Sequence, residues 1–314
     1  MKILLLGPDG QVGWELRRAL APLGEVVAAG RAEGADLSQP DALAALVARV
    51  APQVVANAAA YTAVDRAEGE QLLARTVNAQ SPGLLARAAA ASGAWLLHFS
   101  TDYVFDGSSN DPRDERHPVA PLSVYGRTKL EGEELIRASG CRHLILRTSW
   151  VHAARGQNFA RTMLRLAAER DQLRVVDDQV GAPTGADLLA DLSAHLLRVA
   201  RARPEVSGTY HACAAGHTSW CGYARHVIGW AASRGRPLRT TPAQVLPITT
   251  AEYPLPAPRP LNSRLDTRKL CTTFDVTLPH WQAGVERMLA EVLDLPLTAP
   301  VAPGAAASIA APTR

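Results

Sequence analysis

Lys2-Ile3-Leu4-Leu5-Leu6-Gly7-Pro8-Asp9-Gly10-Gln11-Val12-Gly13 opens the chain, and its reading decides the fold. Lys2–Leu6 is an apolar run of strand length. A GxxGxxG loop follows directly, and Gln11–Ala21 then reads as a helix. Glycines permit a tight turn and close backbone approach. The helix N-terminus turns its free N–H groups and positive dipole end outward, the arrangement that receives a pyrophosphate. Pro8 has no N–H and Asp9 is an anion, so neither adds to such a site.

The pattern repeats outward from this unit. Glu25–Ala29, Gln53–Asn57, Trp95–Phe99, His143–Arg147 and Leu173–Val176 read as strands. Asp41–Val50, Gln71–Ala91, Leu122–Ser139, Asn158–Arg170 and Ala186–Arg201 read as helices between or after them. Short apolar runs alternating with helical patterns predict an α/β protein with a Rossmann-like, doubly wound parallel sheet covered on both faces. Beyond about residue 200 the alternation loosens and prolines crowd in from Pro237 to Pro260, before a last helix at Trp281–Leu293. The predicted organisation is a nucleotide-binding domain from 1–150 and about 171–202. A smaller, irregular substrate lobe takes about 151–170 and 203–297, and a disordered tail takes 298–314.

Of the 314 residues, 47% are hydrophobic and 20% charged, and the formal net charge is only +3. No block of like charge accompanies it, which argues against nucleic acid or a membrane surface as partner. No apolar stretch approaches the roughly 20 residues of a membrane span, and the N-terminal apolar run is too short for a secretory signal. Cys141, Cys213, Cys221 and Cys271 lack CxxC spacing, which predicts reduced thiols and a cytoplasmic setting. Cys213 and Cys221 with His211 and His217 fit no zinc-ligand spacing.

In the nucleotide half, Gly7, Gly10, Gln11, Val12 and Gly13 are the expected pyrophosphate loop. An acid at the end of the second strand would bind a ribose diol. Val26-Val27-Ala28-Ala29 runs instead into Gly30-Arg31, which favours the 2′-phosphate of NADPH, with NADH as the alternative. Asp36 and Leu37 are candidates for the adenine pocket. Ala58, Ala59, Ala60 and Tyr61 leave the third strand as candidates to lie beside the cofactor.

Tyr125-Gly126-Arg127-Thr128-Lys129 carries the chemistry. A tyrosine and a lysine four apart share one helix face. The cation stabilises a phenolate and lowers a tyrosine pKa that begins near 10. Thr101, in Ser100-Thr101-Asp102 at the end of the fourth strand, offers a hydroxyl to a carbonyl oxygen. Tyr125 as general acid, Lys129 as its electrostatic partner and ribose ligand, and Thr101 as oxygen-side donor together predict reduction of a ketone by hydride transfer.

These stretches resemble the extended short-chain dehydrogenase/reductases, and within them the dTDP-4-dehydrorhamnose reductase family. The matching segments are Gly7–Leu16, Asn57–Asp65, Ser100–Gly107, Tyr125–Gly132, Arg147–Val151, Asp178–Gly185 and Arg259–Leu265, in the family's order. The resemblance implies a dTDP-sugar substrate, dTDP-4-dehydro-β-L-rhamnose, reduced at C4. It implies a substrate-side acid at Asp102, a ring packed on the sugar at Trp150, and a diphosphate ligand at Arg259 assisted by Asn262. It also implies a homodimer, with a structural Mg²⁺ held at the dimer interface by acids in the positions of Glu15, Asp187 and Glu291. Two departures stand out: Gly30 replaces an acid, and His152 replaces a tyrosine. An epimerase or 4,6-dehydratase shares the loop and the Tyr/Lys pair. A dehydratase, however, needs a second acid beside Asp102, where Tyr103 stands. A non-catalytic binding subunit needs no complete Thr101–Tyr125–Lys129 set.

Overall fold

A computed structural model describes residues 1–294, and the tail expected at 298–314 lies outside them. Five strands form where the apolar runs stand: β1 (Lys2–Leu6), β2 (Glu25–Ala29), β3 (Val54–Asn57), β4 (Trp95–Thr101) and β5 (Arg142–Thr148). A sixth, β6 (Gly208–His211), completes a parallel sheet of order β6-β5-β4-β3-β1-β2. The chain leaves β2 at one edge and re-enters on the far side of β1. The carboxyl ends of β1 and β3 therefore flank a topological switch point, where open α/β sheets bind ligands.

Alternation along each strand sorts the core into two layers. Ile3 and Leu5, with Val54, Leu97 and Leu144, pack under Gln11–Leu20 and Ala186–Ala202 through Leu16, Leu20, Leu189 and Leu196. Leu4 and Leu6, with Val55, Leu96 and Ile145, pack on the other face against Leu43, Leu46, Leu85 and Ile136. Both faces are buried, so the strands carry apolar residues at successive positions rather than at every second one.

Three elements differ from the pattern read along the sequence. β6 contains Thr209 and His211 within four residues, too polar for an apolar run, yet it pairs with β5 from Gly208↔Leu144 to His211↔Arg147. Leu173–Val176 joins no strand of the large sheet, pairing instead with Val245–Ile248. That pair belongs to a second core, built by Phe159–Glu169, Trp220–Ser233 and Trp281–Leu293 around Tyr223, Trp230 and Trp281. The helix expected over Gln71–Ala91 is present with a break in winding: Thr76–Gln80 is a π-turn between Gln71–Arg75 and Ser81–Ser92. That turn carries Asn78, whose amide bonds the N–H and C=O of Tyr61 at 2.9 and 3.0 Å and Thr128 Oγ1 at 3.2 Å. Among the described residues no helix is long and apolar enough to cross a membrane.

Candidate active site

The glycine loop lies at the switch point. Gly7 has a left-handed φ of 74°, and a Cβ there would meet Ala59 N at 2.8 Å. A Cβ on Gly13 would overlap the Gly7 carbonyl. Gly13 thus serves close packing of helix against loop and does not line the cleft. Gly13→Ala is expected to destabilise the fold by about 1–3 kcal/mol through overpacking. Urea unfolding checks this, and unchanged stability would remove the packing role.

A cavity of about 1010 Å³ opens above the loop, a volume that accommodates a dinucleotide. Gly7, Gly10, Gln11 and Val12 line it, as do Arg31, Asp36, Leu37, Ala58, Ala59 and Ala60. Tyr61 does not: its hydroxyl donates to Glu70 at 2.6 Å, and Thr62 takes its place on the wall. Arg155 and Gly156 also line the cavity from beyond β5. Arg155 lies 4.0 Å above the Trp14 ring, and Gln11 Nε2 donates to the Gln157 carbonyl at 3.1 Å. The end of β2 is less bare of acid than its sequence reads. Glu33 folds back, accepts from Gly30 N–H at 2.8 Å and lines the cavity beside Arg31.

Tyr125 and Lys129 line the same cavity at its inner end. Ser123 caps their helix, Val124–Ala138, accepting from Gly126 N–H at 3.2 Å. The Tyr125 phenol is pushed up to about 12, chiefly by burial, with the Thr101 hydroxyl opposing and Asp102 adding to it. Depression of this phenol by Lys129 is thus not what the protein chain alone produces. Lys129 Nζ is turned toward the Phe99 carbonyl, at 2.5 Å, and His98 Nε2, at 3.2 Å. Burial brings Lys129 itself down to about 8, with Glu133 acting the other way.

Thr101 Oγ1 donates to Asp102 Oδ1 at 3.1 Å and accepts from Tyr103 N–H at 3.2 Å. Asp102 is buried, its Oδ2 has no partner, and burial raises its carboxyl to about 6. Tyr103 meets Tyr125 edge to face at 5.5 Å. Below this row, Glu133 is fully buried and receives Ser100 Oγ at 2.6 Å, Arg147 Nε at 2.9 Å and Arg147 Nη2 at 2.7 Å. Ser100 lines the cavity, so this network fixes the floor beneath Tyr125 and Lys129. Glu133 stands four residues after Lys129 and so on the reactive face, but in sequence it reads as one more charge on a polar helix.

The other substrate-side candidates are engaged in holding structure, and none lines this cavity. Trp150 has a left-handed φ of 48°, stacks on Trp220 at 3.6 Å and lies against Gly181. One ring face expected to be free for a sugar is therefore covered by Trp220. Arg259 is paired with Asp65 through contacts of 2.9 and 2.7 Å. This pair ties the short helix Val64–Ala67, after β3, to the C-terminal segment. Asn262 is buried, its Nδ2 donating to the Ser109 and Asp111 carbonyls at 2.6 and 2.8 Å and its Oδ1 accepting from Arg264 N–H at 3.1 Å. It clamps a loop and has no free polar group for a diphosphate. His152 is buried, and burial lowers it to about 4.

Glu15 pairs with Arg18 at 3.5 Å, and Asp187 pairs with Arg287. Among the described residues, no three His, Cys, Asp or Glu side chains converge as a metal-holding group. Within one chain, Glu15, Asp187 and Glu291 thus do not form a ready site for Mg²⁺. The dinucleotide case is different. The glycine cradle, the small-residue wall and the helix N-terminus all face one cavity and fit the group.

A parallel sheet with this loop at its switch point, and a Tyr–Lys pair entering the same cleft, defines the short-chain dehydrogenase/reductase class of nicotinamide-dependent oxidoreductases. Residues 1–294 match the family model described as RmlD substrate binding domain, and the chain belongs to that family. It is 50% identical over 295 residues to the dTDP-4-dehydrorhamnose reductase of Salmonella typhimurium, covering 93% of this chain and 98% of that one. The enzyme of the same name from Escherichia coli K12 gives the same identity and coverage. The crystal structure of dTDP-4-dehydrorhamnose reductase from Bacillus anthracis in complex with NADP superposes with a TM-score of 0.84 at 32% identity, covering 92% and 99% of the two chains.

Proposed function

We propose that this chain reduces the C4 ketone of dTDP-4-dehydro-β-L-rhamnose to dTDP-β-L-rhamnose with NADPH. The observation that carries the reading is the entry of Tyr125 and Lys129 into the cavity built by the glycine loop. It is made in a chain half identical to reductases of that name. When bound, the nicotinamide supplies the hydride. Tyr125 gives its phenolic proton to the substrate oxygen. Lys129 holds positive charge near that phenol and offers N–H groups to a ribose. Thr101, held in place by the Tyr103 N–H, turns its single hydroxyl hydrogen from Asp102 to the same oxygen when substrate binds. Tyr103, in the place where a dehydratase needs a second acid, carries a phenol that burial keeps well above neutrality. This favours reduction over dehydration.

Arg259 is the diphosphate ligand in this reading, sharing its guanidinium with Asp65. The preference for NADPH over NADH rests on Arg31, set against the neighbouring Glu33 carboxylate. Arg31→Ala is expected to raise KM for NADPH several-fold, since a charge-assisted phosphate contact is worth about 1.5–3 kcal/mol before solvent screening. KM for NADH should stay near wild type. Equal changes for both cofactors in initial-rate assays would contradict the 2′-phosphate assignment. The reading includes a cytoplasmic location, supported by four unpaired cysteines, and a homodimer, supported by the family resemblance. No step is assigned to Mg²⁺. The whole reading is tested by turnover of dTDP-4-dehydrorhamnose made in situ. NADPH oxidation that requires the sugar supports it, and no oxidation with either NADPH or NADH contradicts it.

A further inference from the structure

Behind Lys129 stand two buried polar side chains that the reaction just described does not use. Asn57, at the end of β3, and His98, on β4, are each 1% exposed. The Asn57 carboxamide is oriented by its own strand exit, where Oδ1 accepts from the Ala59 N–H at 3.2 Å. Its Nδ2 therefore faces His98 Nδ1, at 3.1 Å. An amide nitrogen only donates, so Nδ1 is the acceptor. Burial first, and then the charge of Lys129, hold His98 well below 6.5, so the ring is neutral. A neutral imidazole has one N–H, which here must sit on Nε2. Nε2 lies 3.2 Å from Lys129 Nζ. An ammonium presents three donors and no acceptor, whereas an amine presents a lone pair. The imidazole N–H thus opposes the ammonium and suits the amine.

We infer that Asn57 and His98 are positioning residues that hold a hydrogen-bond donor against Lys129 and thereby set the pH above which its charge is lost. The inference rests on the reductase reading, in which that charge assists Tyr125, and it assigns the alkaline limit of the reaction to this chain of three residues. The Phe99 carbonyl, at 2.5 Å, takes one Nζ hydrogen in either state and fixes the amine in place. The titratable groups around Lys129 are His98 from β4 and, on its own helix, Tyr125 one turn earlier and Glu133 one turn later. Glu133 favours the ammonium. Arg147 from β5 and Arg137 largely neutralise Glu133. His98 is therefore the neighbour that opposes the charge by direct contact.

The test uses the full chain labelled with ¹⁵N-histidine, with His98→Gln identifying the resonance. Long-range ¹⁵N–¹H correlation reads the tautomer with neither cofactor nor substrate present. The expected result is a neutral Nε2–H tautomer between about pH 5.5 and 9, where an ordinary histidine would titrate. An Nδ1–H tautomer, or an imidazolium forming near 6.5, would overturn the inference. Asn57→Asp keeps the acceptor for Ala59 and places a second acceptor before Nδ1. It should move the proton to Nδ1 and turn a lone pair toward Nζ. The alkaline limb of kcat/KM should then rise by about one pH unit, tenfold in the acid constant, while substrate KM changes little. A tautomer switch with an unmoved limb would overturn the link to Lys129. The ¹³Cε titration of Lys129 reads the same shift without turnover. Absent activity in the unaltered protein would thus defeat the reductase reading and leave this inference separately decided.

Discussion

Tyr125→Phe is expected to lower kcat by about 10²–10⁴-fold, the usual span for a lost general acid. The substitution removes one oxygen from a ring that packs edge to face on Tyr103, so the fold and the cavity wall should persist. NADPH affinity, measured by fluorescence titration, should stay near that of the unaltered protein, because the glycine loop and the alanine wall are untouched. The protonation state supports the assignment. Reduction requires the phenol to carry its proton, and a phenol pushed up to about 12 carries it throughout the neutral range. What the environment must supply is ease of release, which falls to Thr101 and to Lys129. A near-normal kcat with unchanged NADPH affinity would remove Tyr125 from the proton transfer.

Glu133→Ala is expected to be the most damaging single change to stability, costing about 3–5 kcal/mol. It strands the Arg147 guanidinium as a buried charge with its bidentate partner gone. Ser100 loses its acceptor at the same time, so the floor of the cavity loosens together with the fold. Urea unfolding monitored by tryptophan fluorescence measures the loss, and a change under about 1 kcal/mol would contradict the account. Replacing both partners by apolar residues, Glu133→Leu with Arg147→Met, should recover much of the loss, since no uncompensated charge remains. The pair also sets an acid limit. Burial alone would raise the Glu133 carboxyl, but Arg147, Ser100 and Arg137 overcome it and hold the group below its ordinary 4.5. Between the lowered folded value and 4.5 the unfolded chain binds more protons. The stabilisation is therefore complete above 4.5 and is lost as pH falls through the folded value.

The parts of this site legible in the sequence are those whose chemistry and local pattern coincide. The loop after β1 needs glycine where backbone meets backbone, and Gly7 against Ala59 is that contact. Tyr125 and Lys129 announce themselves by helical spacing together with Ser100-Thr101-Asp102 at the end of the preceding strand. The parts that stayed hidden depend on distant partners. His98 and Asn57 sit in apolar strands and read as core, and only the sheet brings them together across β3 and β4. Glu133 reads as one more charge on a polar helix until β5 delivers Arg147 to it. Glu33 stands in sequence past the strand end where an acid is sought, and a single turn of 3₁₀ helix carries it back. Leu173–Val176 has the composition of a strand, but nothing local says that its partner lies at Val245–Ile248. Asn262 and Trp150 show the converse. Each looks available in sequence, and each proves occupied, one clamping a loop and the other stacked on Trp220.

The measurement that bears most directly on the function uses NADPH carrying deuterium at C4 of the nicotinamide ring on the transferable face. It is mixed with this protein and dTDP-4-dehydrorhamnose. The account predicts stoichiometric cofactor oxidation and dTDP-rhamnose with a single deuterium at C4 of the sugar. Deuterium returned to the cofactor with an epimerised sugar, or a sugar left unlabelled while the cofactor stays reduced, would contradict it.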